Sequence, residues 1–329
     1  MVQASSPQAR PVRLLAAGGT IAMSGEQAVP ALGASDLVAA IEPLQSFERL
    51  ETENVLGLPG AQISLEQALE LSRRAVEAAR AGEGVVITTG TDTLEELGAL
   101  CALTYDGQAP IVLTGANRPA SAPGADGPAN LLDAVVVAAA ERAAGLGVVV
   151  VFGGEIHAAM TCRKVDSTGP AAFGSPVAGP IGRVVEGRVW LHSRPVLGPA
   201  LRPQTLHRRV TIVTAALGDG GDWLRAAAQS ADGLVVQALG AGHLPPGMLD
   251  ALHEALTRVP VVITCRPDRG SMLHSTYGFD GSEADLRASG AACAPFLSAA
   301  AARIALLCYL GSGLERQAIV AALAPWDAR

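Results

Sequence analysis

Four short apolar runs constrain this chain more than any other feature. They are Val12-Arg13-Leu14-Leu15-Ala16-Ala17, Val85-Val86-Ile87-Thr88-Thr89, Pro110-Ile111-Val112-Leu113-Thr114 and residues 147–152, and each stops directly before a glycine: Gly18, Gly90, Gly115 and Gly153. Nearly continuous apolar runs of this length fit strands buried on both faces, as in a parallel sheet, and not the in–out alternation of a half-solvated antiparallel one. Segments of helical spacing lie between them. Alternating strands and helices predict a parallel sheet with helices on both faces. In such a sheet ligands gather beyond the carboxyl ends of the strands. The residues just after the glycines are therefore where chemistry is expected.

Helices are predicted over 35–44, 64–81, 93–103 and 130–143. Ser35 reads as the N-cap of the first, and Ser64 with Gln67 has capping-box spacing at the second. Residues 23–34, with Pro30 and two glycines, read as a mobile loop; 57–62 and 121–129 read as further loops. After Gly153-Gly154-Glu155 the pattern loosens, and 160–180 reads as a solvated loop. Residues 194–206, rich in Pro, Gly and Arg, read as a linker. Beyond it, strands are expected at 210–214, 234–238 and 260–264, with helices near 221–229, 247–257, 298–310 and 314–324. A chain of 329 residues has room for two domains of about 150 residues. The expected organisation is α/β: a larger N-terminal domain over 1–193, a linker over 194–209 and a smaller C-terminal α/β domain over 210–329, also with a parallel sheet.

Composition excludes some partners. Hydrophobic residues are 49% of the chain but aromatics only 3%, so the core must be built from Ala, Val and Leu. A net charge of −7 argues against a general nucleic-acid binder, and His207-Arg208-Arg209 is too short a basic run to change that. Cys101, Cys162, Cys265, Cys293 and Cys308 are odd in number and lack CxxC spacing, which fits reduced thiols better than disulfides or a zinc site. Cys162 and Met160 read as packing residues. Residues 1–11 show no apolar signal core, and no uninterrupted apolar run spans a membrane. A cytoplasmic protein with no membrane partner is expected. The Gly18-Gly19 turn lacks the GxGxxG pattern of a dinucleotide site.

Two strand ends carry hydroxyls: Thr20 after Gly18-Gly19, and Thr91 with Asp92 after Gly90. Thr or Asp before a helix is also the usual N-cap, so the second stretch admits a purely structural reading. The lysine content narrows the choice. Lys164 is the only lysine in the chain, every other long-chain cation being arginine, so general surface charge does not account for it. A hydroxyl becomes a nucleophile when a base takes its proton, and an amine of lowered pKa can be that base.

The stretches Ala17-Gly18-Gly19-Thr20-Ile21-Ala22 and Thr88-Thr89-Gly90-Thr91-Asp92-Thr93-Leu94-Glu95-Glu96 together resemble the bacterial-type L-asparaginase/glutaminase family. The likeness continues at Thr114-Gly115-Ala116-Asn117-Arg118-Pro119, at Ala125-Asp126-Gly127-Pro128-Ala129-Asn130-Leu131, from Arg163-Lys164 to Phe173, and at Tyr277-Gly278-Phe279. The resemblance implies hydrolysis of the asparagine side-chain amide to aspartate and ammonia, without metal or cofactor. It implies Thr20 as the nucleophile, Thr91, Asp92 and Lys164 as a second catalytic group, and Gln62 with Asp92 on the substrate ammonium. Main-chain N–H groups near Thr91 and Ala116 would meet the oxyanion. It also implies a homodimer or homotetramer in which a second copy's C-terminal domain completes each site.

The chain departs from the family pattern at four places. Residues 23–34 contain no tyrosine to assist Thr20. Ala61 stands where a carboxylate-binding serine is common, and His243 where an asparagine reaches the neighbouring subunit's site. The acidic residue expected shortly before Tyr277 is missing, Ser271 being nearest. Two alternatives follow: a related enzyme acting on glutamine or another amide, and a homologue that binds aspartate or asparagine with weakened catalysis.

Overall fold

The structure is a computed structural model that describes residues 10–25 and 29–327. The polar N-terminal stretch at 1–9 and the centre of the expected mobile loop, 26–28, lie outside the described residues. The chain divides into two compact units, Met1–Ala200 and Leu201–Arg329.

The first unit begins with β1 (Val12–Gly18), a two-residue antiparallel pair of β2 (Met23–Ser24) and β3 (Val29–Pro30), and two short helices, α1 (Ala34–Ala39) and α2 (Glu42–Gln45). Then come β4 (Leu50–Leu58), α3 (Leu65–Arg80), β5 (Gly84–Thr88), α4 (Leu94–Thr104), β6 (Ile111–Thr114), α5 (Gly127–Ala139) and β7 (Val148–Phe152). Strands β4, β1, β5, β6 and β7 lie side by side and parallel. Next, β8 (Glu155–Ala158) turns back antiparallel on β7, and β9 (Arg163–Lys164) pairs with β10 (Phe173–Gly174) in a separate small hairpin. Strands β11 (Gly182–Val185) and β12 (Arg188–Leu191) extend the sheet, giving the order β12-β11-β8-β7-β6-β5-β1-β4.

Alternate residues of the parallel strands enter different cores, as strand geometry requires. Leu14, Ala16, Val86, Val112 and Val149 pack with Leu131, Ala134 and Val135 of α5. Leu15, Ala17, Val85, Ile87, Leu113 and Val150 pack with Leu71 and Ala75 of α3 and Leu94, Leu97 and Cys101 of α4. Burial on both faces explains why these strands read as continuous apolar runs.

Several expectations need correction. The nine-residue β4 is absent from the sequence reading because it is an edge strand with an exposed Glu51 and a half-buried Glu53, and charge on an edge hides the apolar pattern. The single helix expected over 35–44 is two helices. Ser35 is not its cap: the helix begins at Ala34, the Gly33 N–H donates to Asp36 Oδ2 at 2.8 Å, and Ser35 Oγ lies 3.2 Å from Thr52 Oγ1. Pro43, in the first turn of α2, has no N–H to bond the preceding turn, which forces the break. The helix expected at 130 begins at Gly127, with Pro128 in its first turn where a missing N–H costs nothing. It ends at Ala139, and Glu141–Ala143 is a separate 3-10 turn. The loop expected over 160–180 holds β9 and β10. Strands of two residues are too short to show a period; only their pairing with each other, Lys164 opposite Phe173 and Arg163 opposite Gly174, defines them.

The second unit consists of β13 (Val210–Thr214), α6 (Asp222–Ser230), β14 (Gly233–Ala238), α7 (Pro246–Leu256), β15 (Val261–Cys265), α8 (Glu283–Ala288), β16 (Ala292–Cys293), α9 (Ala299–Gly311) and α10 (Arg316–Leu323). Its sheet is all parallel, in the order β13-β14-β15-β16. Here α8 and β16 are additions to the sequence reading. Among the described residues, no helix is long and apolar enough to cross a membrane.

Candidate active site

Four parallel neighbours, β4, β1, β5 and β6, end at one edge of the large sheet, and each is followed by a tight turn. After β1 come Gly19 and a 3-10 turn over Thr20–Ala22; after β4, a 3-10 turn over Gly60–Gln62; after β5, Gly90-Thr91-Asp92; after β6, Gly115-Ala116-Asn117. These turns touch main chain to main chain. A Cβ on Gly90 would sit 2.5 Å from Gly60 N and 3.6 Å from Gly19 Cα. A Cβ on Gly19, whose φ is +80°, would overlap Gly90 N and lie 2.6 Å from the Thr89 carbonyl carbon. One on Gly115 would sit 2.6 Å from Thr89 O and 3.4 Å from Thr91 Cγ2. Contact requires glycine at all three positions, and at Gly19 the left-handed dihedral angle requires it as well. The missing side chains bring the turns bearing Thr20, Ala61-Gln62, Thr91-Asp92 and Ala116 together. Ala116 is fully buried; Ala61 and Gln62 are exposed.

Lys164 comes to this edge from β9. Its Nζ donates to Thr91 Oγ1 at 2.9 Å and to Asp92 Oδ1 at 3.3 Å. Thr91 is buried, the Lys164 side chain is 20% exposed, and that of Asp92 is 66% exposed. The lysine is thus sheltered against a hydroxyl while its counter-ion faces solvent. At 2.9 Å the amine and the hydroxyl are within the hydrogen-bond reach that proton transfer between two groups requires.

The capping alternative fails on the side chains. Thr93 occupies the N-cap position of α4 but makes no capping hydrogen bond; its Oγ1 donates to Gly60 O at 3.1 Å. Thr91 is engaged by the lysine. Lys164 is also held through its main chain, its N–H donating to Glu95 Oε2 at 2.7 Å.

Supporting contacts lock the strand ends. Buried Asn130 donates from Nδ2 to Gly115 O at 3.0 Å and accepts the Gly153 N–H on Oδ1 at 3.0 Å, joining the ends of β6 and β7. Asn117 Nδ2 donates to Gly169 O at 2.6 Å, tying the turn after β6 to the loop that follows Lys164. Within that loop the N–H groups of Thr168 and Gly169 hold the Asp166 carboxyl below its usual range. Burial pushes the Cys162 thiol well above its usual value, consistent with packing and not with nucleophilic use. Glu95, Thr93, Asn117 and Asn130 went unassigned in the sequence. Their residue types gave no chemical signal, because each acts on main chain far away along the polypeptide.

His243, the remaining sequence-predicted site residue, belongs to the second unit. Its Nε2 lies 3.2 Å from Glu283 Oε2, and its ring stands edge-on to Tyr277 and Phe279, with centroids 5.1 Å away in each case. Glu283 Oε1 accepts the N–H groups of Thr276 at 2.7 Å and Tyr277 at 2.9 Å. Burial pushes the Glu283 carboxyl up, but these main-chain bonds and His243 outweigh it and hold the carboxyl below its ordinary value. A carboxylate therefore does serve the Tyr277 segment. It folds back from six residues after Tyr277 instead of preceding it, while Ser271 donates to its neighbour's carbonyl, Met272 O.

Comparison with known proteins agrees over both units. Residues 11–197 match the family model described as asparaginase, N-terminal, and residues 209–323 match the glutaminase/asparaginase C-terminal domain. The chain is 41% identical over 266 residues to a probable L-asparaginase of Deinococcus radiodurans, covering 80% of this chain and 81% of the relative. It is 30% identical to an L-asparaginase of Bacillus licheniformis, covering 92% and 96%. The crystal structure of a probable cytoplasmic L-asparaginase from Campylobacter jejuni superposes with a TM-score of 0.84 at 27% identity, covering 96% of this chain and 99% of that one.

Proposed function

The chain belongs to the asparaginase/glutaminase family, and on that footing we propose that it hydrolyses the side-chain amide of L-asparagine to L-aspartate and ammonia. Thr20 attacks the amide carbonyl carbon. Main-chain N–H groups of Thr91 and Ala116 meet the tetrahedral oxyanion. Collapse breaks the C–N bond, ammonia leaves with an added proton, and water then cleaves the threonyl ester to release aspartate. Thr91, Lys164 and Asp92 carry the proton traffic. Asp92 and Gln62 hold the substrate ammonium, and the main chain at Ala61 takes the substrate carboxylate in place of a serine hydroxyl.

The observation that carries this reading is the 2.9 Å contact between the only lysine and Thr91, formed across 73 residues at the mouth of the sheet. Replacing Thr20 by Ala should abolish ammonia release from asparagine while leaving aspartate binding intact; unchanged turnover would remove Thr20 from its role. Glutamine is the second reading, favoured by Ala61 and by the absence of tyrosine from 23–34. An ammonia-release panel over asparagine, glutamine and their D-forms separates the two, and aspartate binding without any ammonia release would mark a binding homologue. Our reading includes self-association as a dimer or tetramer, with His243 of a second copy at each site, and a cytoplasmic location. The solved structure described as a probable cytoplasmic L-asparaginase and the five free cysteines support that location.

A further inference from the structure

We propose that Thr93 and Glu95 are positioning residues that set the two halves of the site from a single helix start, an inference that rests on the catalytic reading above. Local chemistry does not explain either side chain. A Thr at the N-cap ordinarily caps, and a Glu in the first helical turn ordinarily serves the helix dipole. Here α4 gives up the Thr93 cap, and both groups reach into other segments: Thr93 Oγ1 to Gly60 O, 33 residues back, and Glu95 Oε2 to Lys164 N, 69 residues ahead. The Glu95 charge also bears on the Cys162 thiol, raising it further, so the carboxylate faces the β9 approach over more than one residue.

The two contacts divide the labour. Thr93 holds the first residue of the Gly60–Gln62 turn, which carries the groups assigned to the substrate's ammonium and carboxylate. Glu95 holds the main chain at the root of the lysine whose far end meets Thr91. Thr91, Thr93 and Glu95 thus act in alternation along five residues: one on the lysine's amine, one on the binding turn, one on the lysine's main chain. Loss of the Thr93 bond should loosen recognition, and loss of the Glu95 bond should misplace the amine. A shift of about 1 Å in such a group costs about a hundredfold in rate.

The test compares Thr93→Val and Thr93→Ser with Glu95→Ala and Glu95→Gln. Ammonia release is measured on asparagine, and the folded fraction is counted by the stoichiometry of aspartate binding. Because Lys164 is the only lysine, its rate of modification by trinitrobenzenesulfonate, read by mass spectrometry of the Lys164 peptide, reports the amine directly. Thr93→Val should raise KM about tenfold with kcat little changed, and Thr93→Ser should restore it. Glu95→Ala should lower kcat by about a hundredfold with little change in KM and speed Lys164 modification several-fold. Glu95→Gln should recover most of the rate, since its amide oxygen can accept the same N–H. Wild-type kcat and Lys164 reactivity in Glu95→Ala, a kcat loss matched by lost aspartate sites, or a Thr93→Val defect confined to kcat would overturn the proposal. A wild-type protein inert on every amide would overturn the catalytic reading instead; the Lys164 modification rates would still decide the positioning of the amine.

Discussion

Asp133 offers the most direct quantitative test of how this fold holds its charges. It lies on α5, partly buried, and desolvation raises its carboxyl to about 6, with no hydrogen bond or ion pair among the described residues to offset the burial. Against a starting value of 3.8 the shift is about two units, or about 3 kcal/mol at 1.36 kcal/mol per unit. The side chain keeps some contact with water, which reduces the expected effect to about 1–1.5 kcal/mol. The folded carboxyl holds its proton more tightly than the unfolded one. Stability is therefore fully retained below the unfolded value near 4, declines as pH rises toward 6, and carries the whole penalty above that. Asparagine has the same shape without the charge. Asp133→Asn should thus be more stable than wild type by about 1–1.5 kcal/mol at pH 7.5, with the advantage gone at about pH 3.5. Urea unfolding followed by circular dichroism at both pH values measures it. An equal gain at the two pH values, or no gain at pH 7.5, would refute desolvation as the cause.

Other outcomes follow from the site. Lys164→Met should lower kcat by about a thousandfold while aspartate still binds, since it removes the proton carrier and leaves the binding turns in place; steady-state kinetics with calorimetry checks both halves. Asn130→Ala should destabilise the first unit by about 1–3 kcal/mol, because it strands the buried Gly115 O, while the Gly153 N–H, on an exposed residue, can turn to water; the loss is visible in the urea midpoint.

Much of this protein was legible in the amino-acid order, because the signals involved are local. Buried parallel strands appear as runs such as Val85–Ile87, caps as Ser64 with Gln67, and turns as glycines that precede hydroxyls. The isolation of Lys164 in an arginine-rich chain marked it without any coordinates. The charged edge of β4, the two-residue pairing of β9 with β10, and the return of Glu283 to the Tyr277 segment carry no local period, and sequence reading passed over them or looked on the wrong side.

The chain by itself determined which residues have the chemistry to act: two threonines at strand ends, a carboxylate beside one of them, and a lone amine. Only the tertiary structure decided what they do together. It closed 73 residues to 2.9 Å between Lys164 and Thr91, diverted Thr93 from its cap, and turned Glu95 onto the lysine's main chain. The physical reason is range. Backbone periodicity and capping are set within a few residues, whereas the meeting of groups on separate strands depends on how glycine turns let main chains approach, and that is settled only when the sheet is assembled.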